Sequence, residues 1–125
     1  MSNFSVGFRT HTTEAQSVRI FDLTGELDAH TASELEAAFQ KALADGAYHL
    51  LVNGAGMQYI SSAGLGVFMA YLEDVRERGG DIKIAALQPK VYTVFDLLGF
   101  PFLLHITETE EEALARFATP YEPGV

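Results

Sequence analysis

The centre of the sequence reads Tyr59-Ile60-Ser61-Ser62-Ala63-Gly64-Leu65-Gly66-Val67-Phe68. The apolar run Leu50-Leu51-Val52 precedes it and predicts a buried strand. Leu65, Phe68 and Leu72 follow at three- and four-residue spacing, which predicts a helix with one apolar face. This stretch therefore connects a strand to a helix, and the remaining elements can be placed on either side of it.

The two serines stand where this helix is predicted to begin. A serine oxygen at a helix start can accept a hydrogen bond from an unpaired N–H of the first turn. The same position lies at the positive end of the helix dipole, which can hold an anion such as phosphate. Ala63 and Gly64 are small and leave the hydroxyls of Ser61 and Ser62 uncrowded. Both capping and anion binding are open interpretations at this point.

Apolar runs and helix-start signals alternate along the rest of the chain. The predicted strands are 4–8, 18–23, 48–53, 82–87 and 102–106. Helices are predicted at the two capping boxes Thr31-x-x-Glu34 and Thr109-x-x-Glu112, at the serines and at Pro89. Gly25-Glu26-Leu27-Asp28 is predicted to turn the chain. The order ββαβαβαβα predicts an α/β fold in which a largely parallel sheet of about five strands packs against about four helices.

A length of 125 residues suits one domain, which we place at residues 1–118, and Pro120 and Pro123 predict a loose tail over 119–125. The chain has no cysteine and no basic-then-apolar leader pattern at its start. No apolar run approaches the roughly 20 residues that cross a bilayer. We therefore expect a cytoplasmic protein with no membrane partner.

Charge argues against nucleic acid as a direct partner. Eight basic and seventeen acidic side chains give a net charge of −9, which repels a phosphate backbone. The acidic surplus includes the run 108–112, which is typical of a solvated helix start.

No pattern of catalytic, metal-binding or cofactor-binding residues is evident. The residue two before Ser62 is Ile60, so the Gly-x-Ser-x-Gly motif of a hydrolase is absent. Gly64 and Gly66 lack the third glycine of a dinucleotide-binding motif. The four histidines are scattered and have no ligand spacing. We expect a protein that is not an enzyme and that needs no cofactor.

Three groups of residues together resemble the STAS domain of bacterial anti-sigma factor antagonists. They are Gly25-Glu26-Leu27-Asp28, the stretch from Tyr59 to Val67, and Pro89-Lys90-Val91 with Val94-Phe95-Asp96-Leu97-Leu98-Gly99. The resemblance covers nearly the whole chain in the same order. It implies a small mixed sheet with helices mainly on one side, and a monomeric binding module.

The resemblance also implies partners and a modification. In that family a serine kinase, which is itself an anti-sigma factor, binds the unphosphorylated antagonist and releases sigma; it inactivates the antagonist by phosphorylation, and a PP2C-type phosphatase reverses this. The family pattern Asp-Ser-x-Gly-Leu, aligned on Gly64-Leu65, implies that Ser62 is the phosphoacceptor. Ser61 stands where the family has Asp, and it is a rival acceptor. The implied partner-binding residues are Asp28, Ser61, Ser62, Ala63, Gly64 and Leu65. An alternative is a STAS scaffold or adaptor in another partner-switching or stressosome-like assembly.

Overall fold

The computed structural model describes residues 4–14 and 16–117. Within these residues the strands are β1 (Ser5–Thr12), β2 (Ser17–Leu27), β3 (His49–Ile60), β4 (Asp81–Ala85) and β5 (Ile106–Thr107). The helices are α1 (Ala32–Ala44), α2 (Ser62–Glu77), α3 (Pro89–Leu97) and α4 (Glu110–Arg116), with a short 3-10 helix at Phe100–Phe102. The predicted order ββαβαβαβα is confirmed. The predicted tail, 119–125, lies outside the described residues.

The five strands form one mixed sheet in the order β1-β2-β3-β4-β5. β1 is antiparallel to β2, while β2, β3, β4 and β5 are parallel to one another. In the register of β2 and β3, Leu27 pairs with Ile60. The last residues of these two strands therefore lie side by side at one end of the sheet, and α2 starts there.

Three strands extend further than the sequence predicts, and β1 is one of them, since it continues beyond Phe8 to Thr12. β3 continues beyond Asn53 to Ile60, and β2 includes Gly25-Glu26-Leu27, for which the prediction of a turn is wrong. The ladder between them shifts register between Asp22 and Thr24 and again between Gly25 and Glu26, and then resumes. Gly25 has φ +97°, a left-handed conformation that glycine adopts without steric cost. These irregularities bend the strands without ending them.

The bounds predicted for the last strand, 102–106, are also wrong. The structure has the 3-10 helix Phe100–Phe102 in its place, and β5 is restricted to Ile106–Thr107. Gly99 has φ +76° and turns the chain out of α3. Pro101 lies within this 3-10 helix and has no N–H to donate to a strand ladder.

The helices cover the two faces of the sheet unequally. Phe39 of α1, Phe68 of α2 and Phe95 of α3 meet edge to face, with ring centroids 5.9 Å and 5.7 Å apart, in the larger core cluster. A smaller cluster on the other face packs Ala113 and Phe117, in and just after α4, against strand residues. The prediction of helices mainly on one side is confirmed. Among the described helices, none combines the length and the apolar character needed to span a membrane.

Candidate functional site

The serine pair lies at the junction of β3 and α2. Ser61 follows the last residue of β3 and keeps an extended backbone, with φ −103° and ψ 174°. Its N–H donates to the carbonyl oxygen of Leu27 at 2.9 Å, and its own carbonyl oxygen accepts from the N–H of Leu65 at 3.0 Å. Ser61 thus continues the pairing of β3 with β2 and also begins the hydrogen bonding of α2. Ser62 is the first residue of the helix.

The two serine side chains have different surroundings. The Oγ of Ser61 is buried and has no hydrogen-bond partner among the described residues. Ser62 is exposed to solvent. Ser61 occupies the N-cap position of α2, yet its side chain makes no capping hydrogen bond, so the capping interpretation is wrong for this residue. The strand-like pairing with Leu27 fixes the Ser61 backbone, and its hydroxyl is enclosed by the protein.

Gly64 allows α2 to lie close to the ends of β2 and β3. A Cβ atom on this residue would stand 2.7 Å from Cγ of Leu27 and 3.0 Å from Cγ1 of Ile60. Distances this short are not tolerated between carbon atoms, so a larger side chain would push the helix start away from the sheet. A Cβ on Gly66, by contrast, would meet no atom within 4 Å. The two glycines of the motif therefore have different roles.

The turn after β2 is organised by Asp28 and Thr31. Oδ1 of Asp28 accepts from the N–H groups of His30 at 2.9 Å and Thr31 at 3.2 Å. Thr31 Oγ1 accepts from the N–H of Asp28 at 2.9 Å and donates to the carbonyl oxygen of Glu26 at 2.8 Å. The hydrogen bond from the N–H of His30, followed by those from Thr31, lowers the pKa of Asp28 below its usual value.

The hydrogen bonds between Asp28 and Thr31 contradict the predicted capping box and make Thr31 part of the candidate site. The capping box predicted for Thr31 and Glu34 is wrong, because the Thr31 hydroxyl bonds backward to Asp28 and Glu26. Thr31, which is only 4% exposed, therefore shapes the site although it was not among the predicted site residues. The Asp-x-x-Thr spacing of Asp28 and Thr31 is a signal that could have identified it. The capping prediction for Thr109 is confirmed, since its Oγ1 accepts from the N–H of Glu112 at 3.2 Å.

Five of the predicted partner-binding residues form a continuous segment, and the sheet brings the sixth to it. Asp28 directly follows Leu27, whose carbonyl oxygen holds Ser61, so the Asp28 turn and the serines share one end of the molecule. Ser62 and Ala63 are exposed, whereas Gly64 and Leu65 are buried and support the helix start. The assignment of all six as partner contacts stays a prediction.

The charges around the start of α2 can accommodate a phosphate on the helix. They would repel a partner whose own surface is negative. The first N–H groups of an α-helix lack intrahelical partners, and α2 has no acidic side chain in its first turn. An anion on Ser62 would therefore meet the positive end of the helix dipole. Exposed Glu26, near the end of β2, and partly exposed Asp28, in the turn that follows, both add negative charge to this end of the molecule. A phosphate here would change the surface charge while the helix tolerates it.

A bound metal ion needs several ligating side chains gathered in one place. Across residues 4–14 and 16–117, no group of three or more His, Asp or Glu side chains is arranged to hold a metal ion. A groove of about 550 Å³ lies between α3 and β5. Its lining residues are Leu87, Pro89, Tyr92, Ile106, Thr107 and Glu108. With one carboxylate and no basic group, this lining suggests no particular ligand.

Comparison with known proteins gives consistent matches. The family model of the STAS domain matches residues 9–113. The anti-sigma-B factor antagonist of Staphylococcus epidermidis is 31% identical over 87 residues, which are 70% of this chain and 81% of that protein. An anti-sigma factor antagonist from Mycobacterium paratuberculosis has a similar structure, with a TM-score of 0.77, 23% identity, and coverage of 92% of this chain and 96% of that one. The phosphorylated form of the Bacillus cell fate determinant SpoIIAA matches with a TM-score of 0.64, 22% identity, and coverage of 88% and 98%. The family resemblance inferred from the motifs is confirmed.

Proposed function

Because the chain belongs to the STAS domain family, we propose that it is an anti-sigma factor antagonist that phosphorylation of Ser62 switches off. The antagonist role is that of its Staphylococcus relative. In this proposal the unphosphorylated chain binds a serine kinase that is also an anti-sigma factor, and the sigma factor is released. A PP2C-type phosphatase removes the phosphate and restores binding.

The exposure of Ser62 is the observation that carries this proposal. A kinase must reach the hydroxyl that it modifies, and Ser62 is exposed at the first position of α2. The Oγ of the rival acceptor, Ser61, is buried, so its phosphorylation would require local opening of the junction. Support also comes from SpoIIAA, a protein of the same fold whose structure is known in a phosphorylated form.

The switch acts through charge at the interface. A phosphate adds about −1.5 to −2 charge, together with bulk, to a surface that must close against the kinase. The chain already has a net charge of −9, with Glu26 near the end of β2 and Asp28 in the turn that follows it. Repulsion and desolvation that cost about 3 kcal/mol would weaken binding roughly a hundredfold. The complex is therefore expected to dissociate while the antagonist keeps its fold.

The proposal is tested by phosphorylation with candidate anti-sigma serine kinases from the same genome. Wild type, Ser61→Ala and Ser62→Ala are each incubated with kinase, ATP and magnesium, and the products are analysed by intact mass and site mapping. One phosphate is expected on wild type and on Ser61→Ala, and none on Ser62→Ala. Calorimetry with the kinase should then show tight binding of the unphosphorylated chain and binding weaker by about a hundredfold after phosphorylation.

The outcomes separate the parts of the proposal. A phosphate on Ser61 would overturn the acceptor assignment. If no kinase of this type binds or modifies the folded chain, the antagonist role fails, and a scaffold or adaptor in a stressosome-like assembly becomes the better interpretation. Equal unfolding free energies for wild type and Ser62→Ala are the control that makes a loss of binding interpretable.

A further inference from the structure

Three large apolar side chains are exposed where α3 ends and the 3-10 helix begins. Leu97 is 79% exposed, Leu98 59% and Phe102 73%. The N–H of Phe102 donates to the carbonyl oxygen of Gly99 at 3.0 Å, so a tight turn directly after Leu98 keeps Phe102 close to the end of α3. Leu97, Leu98 and Phe102 are named the apolar corner. Clustered apolar exposure of this kind on a folded domain typically marks a contact surface.

A groove along α2 extends this surface. Its volume is about 480 Å³, and its lining residues are Met69, Leu72, Glu73, Arg76 and Glu77. Arg76 connects the groove to the apolar corner, because its Nη2 donates at 2.8 Å to the carbonyl oxygen of Leu103, the residue after Phe102. Met69 is 45% exposed and supplies apolar surface within the groove. These five residues are named the α2 groove.

The charges around this surface select a basic occupant. Glu73, Glu77 and Asp96 are exposed beside the apolar side chains. Arg76 also lines the groove, and its Nε is 2.9 Å from Oδ1 of Asp81, a carboxylate that it shares with Lys83. A second copy of the chain would carry the same acidic rim and a net charge of −9, so two copies would repel each other here. A partner with positive charge would be attracted.

The shape of the surface suits a helix. It is built from side chains of α2, α3 and the 3-10 helix, and an amphipathic helix binds such grooves through apolar side chains three and four residues apart. We propose that the apolar corner and the α2 groove together bind a basic amphipathic helix of a protein partner. Arg76 lies fourteen residues after Ser62 along α2, which corresponds to about 21 Å. Met69, at the near end of the groove, lies seven residues after Ser62, which corresponds to about 10 Å, so the surface begins one to two helical turns beyond the phosphorylation site.

The probe for this surface is a synthetic amphipathic peptide of about five helical turns. Leucines occupy the positions three and four residues apart, and lysines occupy the remainder; a second peptide has glutamate in place of every lysine. Each is titrated into isotope-labelled protein and followed by NMR. The lysine peptide is expected to shift the amide signals of Leu97, Leu98, Phe102, Glu73 and Glu77, whereas the glutamate peptide should leave them unchanged.

Matched variants decide whether the shifts report this surface. Phe102→Ser is expected to weaken binding of the lysine peptide about tenfold, a change of roughly 1.4 kcal/mol. The control is Phe8→Ser, which removes a 56% exposed ring from β1, and it should leave the affinity unchanged. Ser62→Ala removes the phosphoacceptor without adding a charge and should leave the affinity for the peptide unchanged, which distinguishes this proposal from the phosphorylation switch.

Several results would overturn the proposal. These are absence of binding, equal binding of the two peptides, or an equal loss of affinity in Phe8→Ser. Analytical ultracentrifugation provides a second measurement. A dimer that forms in wild type and is lost in Phe102→Ser would assign the surface to a second copy of the chain and would reject the basic partner.

Discussion

The N–H of Ser61 donates a hydrogen bond to the carbonyl oxygen of Leu27 at 2.9 Å. This bond extends the ladder in which Leu27 is paired with Ile60, so it joins the end of β2 to the residue that begins α2. The Asp28 turn and the serine pair are consequently held together by the sheet itself. A modification of Ser62 at this fixed junction is expected to alter the surface that a partner meets, and to leave the fold intact.

Ser61→Ala is expected to change the free energy of unfolding by less than about 0.5 kcal/mol, or to increase it. An ordinary N-cap serine contributes about 1 kcal/mol through its side-chain hydrogen bond. The Ser61 side chain makes no such bond, and its buried Oγ has no hydrogen-bond partner in the part of the chain that the structure describes. Urea denaturation of the wild type and the variant measures the difference.

Thr109→Ala is the matched control for the Ser61 prediction. Thr109 is the N-cap of α4, and its Oγ1 accepts from the N–H of Glu112 at 3.2 Å. This substitution should lower the free energy of unfolding by about 1 kcal/mol. A similar loss in Ser61→Ala would show that the Ser61 hydroxyl does stabilise the start of α2 in solution.

Gly64→Ala is expected to destabilise the protein by about 1–3 kcal/mol, the usual range for overpacking a closed site. The added methyl group would lie 2.7 Å from Cγ of Leu27 and 3.0 Å from Cγ1 of Ile60, so α2 must shift away from the sheet. The same shift should slow phosphorylation of Ser62 by a kinase that recognises the folded junction. Urea denaturation and a phosphorylation time course measure the two effects.

Gly66→Ala provides the comparison two residues further along the same helix. A Cβ here meets no atom within 4 Å, and alanine is a better helix former than glycine by about 0.5–1 kcal/mol. The variant should therefore be more stable than wild type. If both alanine variants shift stability in the same direction, the close approach of α2 to Leu27 is not the reason why position 64 requires glycine.

The order of the elements could be predicted because local patterns carry it. Leu50-Leu51-Val52 and the helix spacing after Leu65 are visible without knowledge of any neighbour. The extension of β3 could not be predicted in this way. Gly54 and Gly56 are weak strand formers, and the reason for them is tertiary: a Cβ on Gly54 would lie 2.5 Å from Cδ2 of Leu87, and one on Gly56 would lie 2.9 Å from Oγ1 of Thr24.

In the candidate site too, local sequence patterns predict some features, and others depend on tertiary contacts. The motif around the serines could be identified from residue types, but two adjacent serines at a predicted helix start are equivalent in any local pattern. The distinction between the buried Oγ of Ser61 and exposed Ser62 depends on pairing with Leu27, which is more than thirty positions earlier in the chain. The pattern that pairs Thr31 with Glu34 fails for a similar reason. The Thr31 hydroxyl bonds to Glu26 instead, and that bond depends on how far β2 extends.

Glu110 is expected to make the stability of the protein depend on acid pH. Its Oε2 accepts from Nη1 of Arg9 at 3.0 Å, and its Oε1 accepts from Nδ2 of Asn53 at 3.0 Å. The hydrogen bonds from Arg9, and then that from Asn53, lower the pKa of Glu110 below its ordinary value of 4.5. Near and below pH 4.5 the unfolded chain therefore binds more protons than the folded chain. The stabilisation that is present above pH 4.5 is lost as the pH falls through the folded-state pKa.

The measurement is the free energy of unfolding at a series of pH values for wild type, Glu110→Gln and Glu111→Gln. Wild type should lose stability below pH 4.5 more steeply than Glu110→Gln. Glu111 is exposed on the same helix turn, so Glu111→Gln should keep the wild-type slope. Identical slopes for wild type and Glu110→Gln would contradict the role of the Arg9 contact.

His105 is expected to titrate below its ordinary value of 6.5. Burial lowers its pKa first, and the Lys83 ammonium lowers it further; Arg116 and Arg76 act in the same direction, and Asp81 opposes them. Nδ1 of His105 lies 2.8 Å from Nζ of Lys83, which is only 1% exposed, so protonation would bring two cations together in a buried site.

Because the pKa of His105 is lowered in the folded state, the unfolded chain binds the proton more tightly. Stability should therefore fall as the pH decreases below 6.5 through the folded-state pKa. NMR titration of the histidine ring signals measures the midpoint directly. Lys83→Met removes the neighbouring charge at similar volume and should raise the His105 midpoint. A His105 midpoint at or above 6.5 in wild type, or an unchanged midpoint in Lys83→Met, would show that the 2.8 Å contact does not control this histidine.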